Sequence, residues 1–336
     1  MTKFSVIKQR SLWWGISASL ALIGIIAAIV SFIQLGAPIR PSLEFVGGTR
    51  LQLELACAID KSCEKAIDLD PVRAIMAEQG LPSQGLQVVD NYGLSIRTRD
   101  LEVDPRQKFI QALEEKIGKF DPSSTQIDTV GPTIGKELLK TGIISLFLAL
   151  AGITVYLSFR FQWDYAMFAM LALVHDVGIT VGIFALLGLI LGIEADSLFV
   201  VALLTIVGFS VNDTVVIYDR VREIMKLNPN NSIDEIVDDA VNQTLTRSIN
   251  TTATTLLPLT AIFIFGGDTL KYFALALIIG FILGAYSSIF IASTALAWWR
   301  ERQTKVQATV LATAGEAPLA VAEEEISREE GKSIDS

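Results

Sequence analysis

SLFVVALLTIVGFSVNDTVVIYDRVR, residues 197–222, decides how the rest of the chain is read. From Leu198 to Tyr218 its only charge is Asp213, and about 20 apolar residues suffice to cross the roughly 30 Å hydrocarbon core of a bilayer. The stretch predicts a membrane helix. Its middle falls near Val207 and Gly208, so Asp213 lies toward the Arg220 and Arg222 end. There a carboxylate costs on the order of 2.5 to 3.5 kcal/mol on insertion scales. Two readings offset that cost: the side chain snorkels or takes hydrogen bonds from Asn212 or Thr214, or it faces a cavity or a charged partner.

Moving outward, four more apolar runs surround this one, about 138–159, 165–190, 248–265 and 272–299, and a further run at 12–35 precedes them all. The chain has 336 residues, 51% of them hydrophobic, and a mean hydropathy of +0.49. Such a composition predicts a polytopic α-helical membrane protein with six spans. Lys3, Lys8 and Arg10 precede the first run, which is too long for the apolar core of a cleaved leader and carries Trp13 and Trp14 at its edge. It reads as an uncleaved anchor with residues 1–11 in the cytoplasm. Arg160, the group Arg220, Arg222, Lys226 and Arg247, and the group Arg300, Arg302 and Lys305 mark the cytoplasmic ends of the later spans. The intervening turns carry Glu194, Asp196 and Asp268 with only Lys271, which puts both termini on one side.

Residues 36–136 then form one extracytoplasmic domain. Residues 49–55 alternate in polarity with period 2, residues 70–79 open with Asp70-Pro71 as a helix start, and 86–89 with 94–98 flank a turn at Asp90-Asn91-Tyr92-Gly93. A second helix over 105–118 puts Phe109, Ile110, Leu113 and Ile117 on one face, and 125–130 closes as a strand. The order βαββαβ predicts a ferredoxin-like α+β fold. Cys57 and Cys63 in this domain allow either a disulfide or two free thiols. In the cytoplasm, residues 219–247 contain a stretch, 229–242, with Ile233, Ile236, Val237, Ala240 and Val241 at helical spacing, an amphipathic helix lying on the membrane or a partner. Residues 300–336, with Glu323, Glu324, Glu325, Glu329 and Glu330, read as a solvated, disordered acidic tail.

Other polar residues fall within the spans. His175 and Asp176 sit at the middle of 165–190, either as a satisfied interhelical hydrogen bond or as a station on a proton path. Residues 242–255, NQTLTRSINTTATT, are hydroxyl-rich and point to a surface that faces helices or a wet cavity, with Asn250 and Thr251 among its polar groups. Arg247 is the natural counter-ion for Asp213, because one cytoplasmic loop joins their two spans; the other reading is an anchor for lipid headgroups.

Enzyme chemistry has no residues to use here. There is no HExxH, CxxC, GxSxG or phosphate-binding glycine loop, and His175 is the only histidine. No metal or cofactor is expected. The formal charge of −9 argues against nucleic acid as a general partner.

FVGGTRLQLEL at 45–55, VGPTIGKEL at 130–138, LALVHDVGIT at 171–180, VGFSVNDTVVIYDRVRE at 207–223, NQTLTRSINTTATTLLPL at 242–259 and FGG at 265–267, taken in this order, resemble the SecD/SecF family of protein-export membrane proteins. The resemblance runs to about Arg302. It implies a six-span half of an export complex completed by the related SecD, associated with the SecYEG channel, with SecA and YajC as further partners, in a bacterial plasma membrane or an internal one such as the thylakoid. It implies a fold shared with resistance-nodulation-division transporters and use of the proton-motive force to move unfolded preprotein. The family's intramembrane carboxylate matches Asp213 and the arginine of its Q-T-x-x-R pattern matches Arg247. Cys57, Cys63 and the acidic tail fall outside the family pattern. Two other functions compete: half of a proton-coupled exporter of small molecules or lipids, and an assembly subunit that conducts no protons.

Overall fold

The computed structural model describes residues 4–60, 62–63, 65–81 and 85–306. The helices and strands run α1 Arg10–Leu35, α2 Leu43–Val46, β1 Gly48–Glu54, α3 Ala56–Ile59, α4 Leu69–Glu78, β2 Leu86–Val89, β3 Gly93–Thr98, α5 Val103–Ile117, β4 Gln126–Val130, α6 Pro132–Arg160, α7 Trp163–Ile190, α8 Ser197–Leu227, α9 Ile233–Phe265 and α10 Gly267–Ser287. A π-helical segment, Ser288–Ala292, continues α10 into a last helical stretch over 293–306. Among the described residues, six helices are long and apolar enough to cross a membrane. The chain divides into two compact units: one holds Gly24–Ala149 and Val181–Leu204, the other the residues up to Ile23, Leu150–Thr180 and those from Thr205 onward.

In the first unit the strands pair in the order β2-β3-β1-β4, every neighbour antiparallel. β3 therefore lies between β1 and β2, the split βαβ arrangement. Asp90 and Asn91 both take positive φ (49° and 66°) in the three-residue turn between the paired Val89 and Gly93, a conformation that short polar side chains tolerate best. Period 2 sends Leu51 and Leu53 of β1, with Leu94 and Ile96 of β3, to one face. There they meet Val72, Ile75 and Met76 of α4 and Phe109 and Leu113 of α5 in a closed apolar core. A disulfide joins Cys57 to Cys63, with Cα atoms 5.0 Å apart.

The opposite sheet face is charged. Arg50 of β1 pairs in register with Arg97 of β3, a like-charge juxtaposition that destabilises a sheet unless it is neutralised. Glu194, in the turn between α7 and α8, accepts from both, at 2.5 Å from Arg50 Nη2 and 2.7 Å from Arg97 Nη1. One carboxylate thus ties two strands to the turn between two spans. Within the same unit Gly24 of α1 and Gly182 of α7 cross backbone on backbone: a Cβ at Gly24 would stand 2.9 Å from the Gly182 Cα.

Several boundaries differ from the sequence reading. The stretch 219–247 is not a loop with a separate amphipathic helix: α8 runs on to Leu227, and α9 starts at Ile233 and continues through the apolar part to Phe265. Hydropathy falls between the two parts of α9, but no glycine or proline breaks the backbone from Ile233 to Leu257. Ser232 starts the helix as a cap, accepting from the Glu235 N–H. α6 begins at Pro132 rather than near residue 138, so Gly131 alone links it to β4. α10 starts at Gly267, whose φ of +68° makes the turn from α9. The expectations for residues 1–3 and for the acidic tail beyond 306 lie outside the described residues.

Candidate functional site

α7, α8, α9 and α10 carry the intramembrane polar residues of the second unit. Gly280 and Gly284 lie one turn apart on α10 and let it approach α8: a Cβ at Gly280 would collide with the Ile206 side chain, and one at Gly284 would stand 3.0 Å from the Ser210 Cβ. That close approach brings Ser287 and Ser288 to α7 and α8.

Asp176 is fully buried, yet its carboxylate is well supplied. Oδ2 accepts from Ser210 Oγ at 2.6 Å and Ser287 Oγ at 2.7 Å, and Oδ1 stands 3.0 Å from His175 Nδ1. Three helices therefore converge on one side chain. Beside it, the hydroxyls of Thr214 and Ser288 share a hydrogen bond at 2.7 Å. A turn further along α8 the Tyr218 hydroxyl donates to the Ala292 carbonyl, 3.0 Å away, at the end of the π-helical segment.

Asp213 is only 3% exposed but is held differently. Its Oδ2 is buried with no hydrogen-bond partner, and so are Ser248 Oγ and Thr252 Oγ1 on the buried face of α9. Buried polar atoms without partners are rare, and each one carries a desolvation cost that nothing offsets. Ser248 is nevertheless close enough to act on the Asp213 carboxylate as a hydrogen-bond donor, short of a well-formed bond, and the Arg247 guanidinium acts on it coulombically.

The expected ion pair is absent. Among the described residues no salt bridge joins Asp213 to Arg247; the arginine is exposed, because it sits about 100° around α9 from Ser248, which faces inward. Arg247 instead lines a cleft of about 350 Å³ with Asp219, Arg220, Glu223 and Gln243. Asn212 and Asn250 are exposed and Thr251 is half-buried, so of the predicted polar network only Thr214, His175 and Asp176 lie in the buried cluster. Sequence reasoning missed Ser210, Ser287 and Ser288, and within the hydroxyl-rich stretch 242–255 it singled out Asn250 and Thr251 where the structure buries Ser248 and Thr252. Thr244, Ser248 and Thr252 recur every four residues and were visible as a stripe; the paired serines at 287–288 carried no sign beyond the Gly280/Gly284 spacing before them.

A family model described as protein export membrane protein SecD/SecF, C-terminal, matches residues 109–302. The chain belongs to the SecD/SecF family. The SecF translocase subunit of Synechocystis sp. is 57% identical over 299 residues, which cover 89% of this chain and 95% of that protein. SecF of Prochlorococcus marinus is 39% identical, covering 89% of this chain and 96% of that one. Among solved structures, SecDF of Thermus thermophilus, described as a translocon-associated membrane protein, superposes with a TM-score of 0.73 at 30% identity. SecDF in a super-membrane-facing form gives 0.63 at 28%. This chain spans 39% and 40% of those SecDF chains, whereas it matches the separate SecF subunits over nearly their whole length. Homology to SecF and SecDF subunits of the bacterial Sec translocase ties it to protein export, as a polytopic membrane protein with six apolar helices and a small sheet-and-helix domain.

Proposed function

We propose that this chain is the SecF-type half of a proton-driven export motor, which pairs with SecD, works beside SecYEG with SecA and YajC, and moves unfolded preprotein across a bacterial plasma membrane. Residues 36–136 face the outside and both termini face the cytoplasm. The observation that carries the reading is Asp213: a carboxylate inside a span, buried, with Oδ2 unpartnered. An acid so placed costs less when it binds a proton, and a group that gains by neutralisation is what a proton-motive cycle needs.

The steps follow from the residues. A proton reaching Asp213 removes the charge that attracts Arg247, and the protonated acid becomes a donor to Ser248, whose hydroxyl already approaches the carboxylate without a well-formed bond. Loss of the proton toward the cleft lined by Arg247 and Gln243 restores the carboxylate. α8 is unbroken from Ser197 to Leu227, so a rotation started at Asp213 travels along one rod. One elementary charge moving through the potential supplies about 2.3 kcal/mol per 100 mV, which biases a two-state equilibrium and calls for repeated small strokes.

The test uses vesicles carrying the whole translocase and an imposed proton gradient. Asp213→Asn is expected to lose gradient-driven export while ATP-driven export continues. Equal gradient-driven export from Asp213→Asn and the unsubstituted chain overturns the reading.

A further inference from the structure

The carboxylate of Asp176 lies outside the proposed proton cycle, yet it takes polar contacts from Ser210, Ser287 and His175 at once. Its Oδ2 takes hydroxyls from α8 and α10 together, Ser210 at 2.6 Å and Ser287 at 2.7 Å. Ser287 is the last α-helical residue before the π-helical turn Ser288–Ala292. A π-helical turn holds an extra residue, and such turns are found mostly at functional sites. If it relaxed to α-helical winding, the following residues would be displaced around the axis by about 100°. Two contacts depend on the observed winding: Ser288 Oγ with Thr214 Oγ1 at 2.7 Å, and the Tyr218 hydroxyl with the Ala292 carbonyl at 3.0 Å. Thr214 adjoins Asp213 and Tyr218 follows on the same helix.

We propose that Asp176 is a positioning residue for the Asp213 site: by holding Ser210 and Ser287 at once it pins the π-helical register of the last span, and this register sets the rotation of α8 that turns Asp213 toward Ser248. The proposal rests on the reading of Asp213 as the proton acceptor for its functional consequence, though not for its geometry. Asp176 keeps one state while Asp213 cycles. Its other oxygen faces His175 Nδ1 at 3.0 Å, the only titratable neighbour among the described residues in contact with it. An asparagine at 176 can do the same work, since its amide oxygen accepts both serine hydroxyls while its NH₂ faces His175. An alanine cannot.

The register is read by cross-linking. Thr214→Cys with Ser288→Cys, in the full chain in its native membrane with its translocase partners, places two sulfurs where the hydroxyls touch, and the native cysteines are already paired to each other. The cross-link is expected to form in this background and equally with Asp176→Asn added. With Asp176→Ala added it is expected to fall at least about threefold, the size of one or two interhelical hydrogen bonds in a membrane. Ser287→Ala provides the same comparison where Asp176→Ala fails to accumulate. Cross-linking that is unchanged by both, or lost with Asp176→Asn, overturns the proposal.

A second arm measures gradient-driven export against pH with natural side chains at 214 and 288. Asp176→Asn is expected to keep the midpoint and at least about half the rate, since it preserves the hydrogen bonds. Asp176→Ala, or Ser287→Ala in its place, is expected to move the midpoint, which a merely structural loss would not do. If Asp176→Asn is as inactive as Asp213→Asn while the cross-link persists, Asp176 carries a proton itself and the positioning role is wrong. Because the cross-link takes no part in proton transfer, its failure and a failure of the Asp213 reading remain separate results.

Discussion

Asp176 and Asp213 are carboxylates buried inside the same unit, on neighbouring helices, and they are held in opposite ways. Asp176 has hydroxyls from two other helices on one oxygen and an imidazole on the other. Asp213 has an oxygen with no partner, and on α9 only the Ser248 hydroxyl acts on its carboxylate at short range, without a well-formed bond. Burial costs both of them; fixed donors offset it in one case, while in the other the compensation is left incomplete. An acid with a complete set of donors gains little from changing state. An acid with an incomplete set gains from a proton, and stability is given up locally for that response.

Stability should separate the two most sharply. Asp176→Ala is expected to lower the unfolding free energy by about 2 to 3 kcal/mol, because Ser210 and His175 lose a buried acceptor, whereas Asp213→Asn is expected to be neutral or slightly stabilising. Thermal unfolding in detergent at fixed pH checks both, and a larger loss from Asp213→Asn would reverse the comparison. Gly284→Ala comes next. Its Cβ would stand 3.0 Å from that of Ser210, so α10 must move out by a few tenths of an ångström and loosen the Asp176 cage, at about 1 to 2 kcal/mol for an overpacked contact.

Serine deletions give a finer test. Ser287→Ala should cost about 1 kcal/mol, within the range measured for hydrogen bonds between membrane helices. Ser248→Ala should cost less than Ser287→Ala in the same unfolding assay, since Ser248 Oγ approaches Asp213 without a well-formed hydrogen bond, while slowing gradient-driven export by removing an acceptor for protonated Asp213.

The smallest effect belongs to a third acid, outside the spans. Asp196, before α8, has its pKa raised from 3.8 chiefly by burial, with Glu44 adding to the rise and the Phe199 N–H opposing it. A raised pKa in the folded chain means that its contribution to stability is complete below pH 3.8 and is lost as pH rises through the folded value. Asp196→Asn caps the Phe199 N–H as well. It should therefore stabilise the chain slightly at neutral pH and not at all in acid, as unfolding at the two pH values will show.

Asp213 was legible in the sequence because a lone acid in an apolar run is costly wherever it points. The βαββαβ domain was legible because period 2, helical spacing and turn residues agreed segment by segment. Arg247 was harder. Nearness along the chain suggested an ion pair, but one position around α9 separates Ser248, which acts on Asp213, from Arg247, which lines the cleft with Asp219 and Gln243. The continuity of α9 was missed because hydropathy changes along it while the backbone does not. Serines 210, 287 and 288 were hidden for a different reason: a serine in a span commonly bonds to its own helix, and only the approach of α10 to α8 at Gly280 and Gly284 turns three of them into a network. Nothing in the residues of 288–292 announced the π-helical turn.

Infrared difference spectroscopy of protonated carboxyls, on the full chain in lipid between acid and neutral pH, tests the contrast most directly. The account predicts a buried carboxyl band that titrates, disappears in Asp213→Asn and remains in Asp176→Asn. A band that survives Asp213→Asn and vanishes with Asp176→Asn would contradict it.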